Sequence, residues 1–183
     1  MAALDLDEVW WLVSPGNPLK AGAADMAPLS ARLASARALS RRAPIRATAI
    51  EARLGTRYTA DTVERLATLF PRRRFIWLMG ADNLASFHRW ERWRRLAARV
   101  PIAVIARPGY DSAALAGPAM GWFRRFRRPA GSARHWTEWR LPAIVLLRFR
   151  PDPRSATHLR AADPHWHRCL SAPPRPAPRG LRP

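Results

Sequence analysis

The sequence predicts an α/β domain, a parallel sheet with helices on its faces. Short apolar runs, each closed by a turn or a polar loop, recur along the chain at Glu8–Val13, Phe75–Met79, Ile102–Ala106 and Ala143–Phe149. Between them lie stretches with apolar residues at helical spacing, and this alternation is the pattern of βαβ units. The runs are continuously apolar rather than alternating, as in strands buried on both faces of a parallel sheet.

Each element has a local reason. Glu8-Val9-Trp10-Trp11-Leu12-Val13 reads as a short, fully buried strand stopped by Pro15 and Gly16. Leu29, Leu33, Ala36 and Leu39 give a helix from Pro28 to about Ala43, with proline at the start, where its missing N–H costs nothing. Ile45–Ile50 suits a second strand. Val63, Leu66, Ala67 and Phe70 share one face of a helix that Thr59 is placed to cap and Pro71 ends. Gly80 closes the Phe75–Met79 strand, and short helical pieces follow around Asp82–Phe87 and Trp90–Ala98. The Ile102–Ala106 strand ends at Arg107-Pro108-Gly109. Asp111 to Leu141 is less regular, with a basic-aromatic middle, GWFRRFRR; the last strand follows, and Ser155–Ala162 reads as a helix start. After Trp166 five prolines mark a Pro/Arg-rich tail that is expected to be disordered, which gives one domain over 1–166 and a tail over 167–183.

Composition narrows the class. No apolar run approaches the roughly 18 residues that span a bilayer, and Asp5, Asp7 and Glu8 stand where a signal peptide carries positive charge. A single cysteine, Cys169, excludes an internal disulfide and suits a reducing compartment, so a cytoplasmic protein with no membrane partner is expected. The net charge of +19 comes from 32 basic residues of which only Lys20 is a lysine. Arginine in such excess, beside so much alanine and proline, reads as composition before it reads as function, so nucleic acid is not the expected partner. His165, His167 and Cys169 are metal-ligand types without a fourth partner, and no metal site is assigned to them.

In open parallel sheets ligands bind beyond the carboxyl ends of the strands. Those ends carry the conspicuous loops here. The stretches DEVWWLVSPGNPLK, RYTADTVERL, FIWLMGADNLASFHRW, PIAVIARPGY and DPRSATHLRA, taken in order, resemble the bacterial nicotinate mononucleotide adenylyltransferases of the H-x-G-H nucleotidyltransferase superfamily, over about Asp7 to Trp166. The resemblance implies a Rossmann-like nucleotidyltransferase fold. It also implies a reaction in which the 5′-phosphate of nicotinate mononucleotide attacks the α-phosphate of ATP and pyrophosphate leaves. ATP with Mg²⁺ and nicotinate mononucleotide are the implied cofactor and partners.

The same resemblance implies roles for particular residues. Ser155, Thr157 and Arg160 match a late phosphate-binding motif, with Ala156 in place of a second serine. Hydroxyls and N–H groups at a helix start, with an arginine one turn on, suit anions. The plain alternative is a helix cap with a surface arginine. Trp90 falls where the family sets an aromatic ring against the nicotinate ring, although a core tryptophan is the commoner use. Asp82 suits an acceptor for substrate hydroxyls, or a cap for the next helix. Thr59 matches a residue meeting the nicotinate carboxylate, or again caps a helix. Arg107 would pair with substrate phosphate, and Lys20, on a loop stiffened by two prolines, would face the nucleotide phosphates. His88 and His158 fall within the motifs at positions the family leaves variable.

One departure is large. No His-x-Gly-His occurs in the sequence, so no catalytic histidine is assigned, and a first central strand with its loop and helix is missing from the matched pattern. Met1 reads as a misplaced start, and this chain as written is expected to be unstable and close to inactive. Two other functions fit the residues less well: a nucleic-acid-binding module resting on GWFRRFRR and RHWTEWR, and a related adenylyltransferase with another acceptor, such as a pantetheine phosphate.

Overall fold

Three of the apolar runs pair side by side and set the frame. In the computed structural model, which describes residues 1–16, 27–41, 43–106 and 111–149, they form β3 (Trp77–Gly80), β4 (Ile102–Ile105) and β6 (Ile144–Leu147). With the two-residue β5 (Arg127–Arg128) they make a four-stranded sheet in the order β3-β4-β6-β5, every pair parallel. β1 (Val9–Leu12) and β2 (Ile45–Thr48) form a separate two-stranded sheet. The described residues divide accordingly into two compact units, one of 1–9 with 50–149 and one of 10–16, 27–41 and 43–49.

The larger unit holds its core on both faces of the sheet. Side chains alternate across a strand. Trp77, Met79, Ile102, Val104 and Ile144 pack on one face with Ala60 and Val63 of α3 (Thr59–Leu69), Leu84 of α4 (Ala81–Ser86), Leu96 of α5 (Trp93–Arg99) and Phe123 of α7 (Pro118–Phe123). Ile76, Leu78, Ala103, Val145 and Leu147 turn to the other face, against Leu4, Ala133 and Trp136. The Trp136 indole N–H donates to the Leu4 carbonyl at 2.8 Å, so the first tryptophan of RHWTEWR is a core residue and not a base-stacking platform. α2 (Ile50–Leu54) ends at Gly55, whose φ of +64° is the left-handed conformation that glycine adopts without strain. α6 (Asp111–Ala116) and α7 replace the irregular stretch expected after Asp111.

The smaller unit packs α1 (Leu29–Ser40) on β2, with Val13, Ala36 and Ala47 as its buried centre. Here the sequence reading needs correction. β1 is not a fully buried strand: Trp11 is 43% exposed, and its neighbours on the strand are half-buried. Its apolar run resembles those of the larger sheet, but it pairs in a sheet of two strands, which leaves more strand surface open than a sheet covered on both faces. Two helix starts also differ. Pro28 occupies the cap position before α1, and Tyr58 that before α3, so Thr59 is the first helical residue and makes no capping bond. The tail beyond Trp166 and the expected helix at Ser155–Ala162 lie outside the described residues.

Phe87 has no accessible surface and its ring meets Trp90 at 5.3 Å, Trp93 at 5.6 Å and Phe123 at 6.2 Å between centroids. Phe87→Ala removes all three contacts and leaves a cavity, for an expected loss of about 3–5 kcal/mol in urea unfolding. Phe87→Leu, which refills most of the volume, should recover more than half of that.

Candidate active site

Parallel register brings the strand ends to one level. Gly80 pairs with Ile105, and Ile105 with Leu147, so the chain leaves β3, β4 and β6 along one rim. Asp82 follows Gly80 by two residues, as Arg107 follows Ile105, and Arg148 follows Leu147 directly. Between these ends lies a hollow of about 30 Å³ lined by Ala81, Leu84, Ala106, Leu146 and Arg148 among others. That volume admits a water or two and no nucleotide. Gly80 occupies the cap position of α4, so Asp82, the second helical residue and half-buried, is not the cap that one reading made it. Arg148, exposed at this rim, was not singled out from the sequence, where only its place at the end of an apolar run marks it.

A second group of residues lies where α3 begins. The first N–H groups of a helix have no intrahelical acceptor and favour anions. Thr59 and Ala60 open α3, and Ala60 is buried in the same core as Ala81. The start is held by Thr62, whose hydroxyl lies 2.8 Å from that of Thr56 and donates to the Tyr58 carbonyl at 3.2 Å and the Glu51 carboxylate at 3.3 Å. The guanidinium carbons of Arg57 and Arg92 stand 5.9 and 5.8 Å from the centre of the Tyr58 ring; Arg57 adds positive charge at this helix start, while the charge of Arg92 is offset by its pairing with Asp61.

Trp90 closes the 3-10 turn Phe87–Arg89. Its ring meets the Trp77 ring edge to face at 6.3 Å and Phe87 at 5.3 Å, and it stays half-exposed. The indole N–H of Trp77 and Nδ1 of His88 are buried without hydrogen-bond partners. Two residues after Trp90, Arg92 adopts a φ of +54°, uncommon for a side chain with a Cβ, and reaches back to Asp61 with an N–O distance of 2.8 Å. Asp61 lies two residues after Thr59. Arg92, which nothing in the sequence marked, therefore ties the Trp90 segment to the helix start of Thr59.

The smaller unit holds a clamp of its own. The Arg32 guanidinium donates to the carbonyls of Ala27 at 2.9 Å, Ser14 at 2.7 Å and Pro15 at 3.2 Å. It thereby joins the two described flanks of the loop that carries Lys20. Lys20 itself, Arg107, Ser155, Thr157 and Arg160 lie outside the described residues, as do His158, His165, His167 and Cys169. Among the described residues no three metal-ligand side chains converge.

Comparison with known proteins supplies the family. A model of cytidylyltransferase-like proteins matches residues 1–162. The chain belongs to the cytidylyltransferase-like family. This places it among nucleotidyltransferase enzymes, as the sequence motifs implied. It is 61% identical to a protein of Erythrobacter litoralis over 91% of this chain and 75% of that one. It is 44% identical to one of Bradyrhizobium sp. over 89% and 84%, and 50% identical to one of Roseobacter denitrificans over 85% and 77%. All three carry the name "Probable nicotinate-nucleotide adenylyltransferase". The solved structure of Plasmodium falciparum nicotinic acid mononucleotide adenylyltransferase complexed with APC superposes with a TM-score of 0.54, covering 85% of this chain and 68% of that one, at 14% identity. At that identity it supports the nucleotidyltransferase fold alone. No helix among the described residues of this family member is long and apolar enough to cross a membrane.

The Arg92–Asp61 pair is exposed, 43% and 29% at the two side chains. Arg92→Ala should therefore change unfolding stability by no more than about 1 kcal/mol. Its effect is expected instead in ligand titrations, as weaker binding of a pyridine mononucleotide carboxylate, because the Trp90 segment loses its tie to α3.

Proposed function

We propose that this chain is a nicotinate-nucleotide adenylyltransferase of NAD biosynthesis, which transfers AMP from ATP to nicotinate mononucleotide and releases pyrophosphate. The observation that carries the reading is the 61% identity, over 91% of the chain, to a relative bearing that name. The transferase domain is taken as 1–166, with 167–183 as a separate Pro/Arg-rich tail, and the reaction is placed in the cytoplasm.

For Trp90, Thr59 and Asp82 the surroundings support a task, and for the other residues the sequence motifs alone suggest one. The nicotinate ring stacks on the half-buried Trp90, which edge contacts with Phe87 and Trp77 hold in place. Its carboxylate meets the first N–H groups of α3 and the Thr59 hydroxyl, with Arg57 adding positive charge nearby. Asp82 accepts hydrogen bonds from substrate hydroxyls. Arg107 pairs with the mononucleotide phosphate, while Lys20, Ser155, Thr157 and Arg160 hold the ATP phosphates. Mg²⁺, bound with ATP, supplies further neutralisation of the phosphate charge. The work of these residues is positioning and charge neutralisation, the main contributions that phosphoryl transfer without a covalent intermediate requires. No His-x-Gly-His lies in the 183 residues, and none of the residues named here is given the role of stabilising the pentacoordinate phosphorus.

Pyrophosphate release from ATP and Mg²⁺, with nicotinate or nicotinamide mononucleotide as acceptor, tests the reaction and its acceptor together. Calorimetric titration of each mononucleotide tests the site whether or not the chain turns over. Trp90→Ala should weaken nicotinate mononucleotide binding by about threefold to tenfold, the equivalent of one aromatic contact. Trp90→Phe should restore most of it. Absence of both binding and pyrophosphate release from the folded chain would overturn the reading.

A further inference from the structure

The nucleotide-transfer reading leaves the stretch GWFRRFRR without a role, and the structure sorts its residues by side. Its rings face inward. Trp122 and Phe126 are half-buried against the larger core, with centroids 5.1 Å apart, and Trp122 stands edge-on to Trp93 at 5.0 Å. The arginines cover these rings from outside. The Arg94 guanidinium carbon lies 4.5 Å from the Trp93 centroid and 5.9 Å from that of Trp122, and that of Arg125 lies 4.9 Å from Phe126. Arg94, Arg124 and Arg125 are exposed, and none of the three meets a carboxylate among the described residues. Their neighbours Arg92 and Arg95 differ, being paired with Asp61 and Glu64 at 2.8 and 2.7 Å.

The chain thus neutralises one edge of this region and leaves the other bare. Stacking on fixed rings holds two of the guanidiniums in place, so little side-chain entropy remains to be lost when an anion binds. Positive charge with no counter-charge among the described residues raises the free energy of the folded state, and a polyanion lowers it again.

We infer that the face made by Arg94, Arg124 and Arg125 over Trp93, Trp122 and Phe126 binds the phosphate backbone of nucleic acid without regard to sequence. Backbone contact fits better than base contact, because arginines and the core already cover the ring faces on which bases would stack. Among the described residues, none of the large exposed apolar side chains lies on α5, on α7 or in the turn Arg124–Phe126 that follows it. This face therefore has no anchor to insert into a bilayer or to fill a pocket on a protein partner. The overall charge of +19 strengthens the field around it, while the uncompensated, ring-held arginines give that field a place.

The test is fluorescence anisotropy of the whole 183-residue chain against a labelled oligonucleotide of about 20 nucleotides, single-stranded or duplex, between about 50 and 200 mM NaCl. Binding should fall linearly on logarithmic axes as salt rises. The triple variant Arg94→Ser, Arg124→Ser, Arg125→Ser should flatten the slope on single strands by about 2, the counterions released by three phosphate contacts. A charge-matched triple variant on other elements, Arg37→Ser, Arg53→Ser, Arg65→Ser, should keep the wild-type slope. Circular dichroism checks that both fold. Should the first triple fail to fold, Arg124→Glu alone, which disturbs no ring contact, must still weaken binding. No binding at the lowest salt, or equal flattening by both triples, would overturn the inference. So would patch-dependent binding to phosphatidylserine vesicles that exceeds binding to either oligonucleotide.

Discussion

The aromatic contact centred on Phe87 holds the larger unit together. A ring with no accessible surface sits between Trp90, Trp93 and Phe123, and through them it joins the turn after α4, the start of α5 and the end of α7 on one face of the sheet. Aromatic rings are stiff and bury large areas, so one such contact constrains several elements at once. The position of Trp90 follows from it. The ring stays half-buried, held by edge contacts with Phe87 and Trp77.

Arginine does three separate jobs in this structure, and its surroundings decide which. Arg32 donates to three carbonyls and ties together the flanks of a loop. Arg92 and Arg95 pair with carboxylates on α3, and the first of these links the two halves of the candidate pyridine site. Arg94 and Arg125 lie over aromatic rings. Arg124 does none of these and faces solvent. The planar guanidinium, with its several fixed donors and weak hydration, suits all of these uses where a lysine would suit fewer.

Membership of the cytidylyltransferase-like family rests on a match over residues 1–162 and on relatives up to 61% identical. The geometry adds a local reason for the motifs. Strands in register deliver Asp82 and the residue after Ile105 to one rim, and a helix start with two neighbouring guanidiniums offers an anion site beside a supported tryptophan. Neither arrangement needs any part of the chain outside the larger unit.

Much of this was legible in the residues alone. The strands near Trp77, Ile102 and Ile144, the helices at α1 and α3 and the α/β class came from apolar runs and periodicity, because burial on both faces of a sheet leaves a continuous apolar signal. The motif resemblance reached the family. Periodicity could not separate β1, half-buried in a sheet of two, or β3, half-buried at the edge of the sheet of four, from the buried β4 and β6, since an apolar run reports what a strand could bury and not what covers it. Nor could it tell which threonine, tyrosine or glycine takes a cap position, a matter of one residue's backbone angles. The remaining decisions were tertiary. That Arg92 meets Asp61, that Arg32 gathers three carbonyls, and that Trp122 turns inward while Arg124 and Arg125 turn outward all depend on contacts between residues distant in sequence or on opposite sides of one turn. Composition supplied the arginines, and only packing determined which of them would be paired, stacked or left bare.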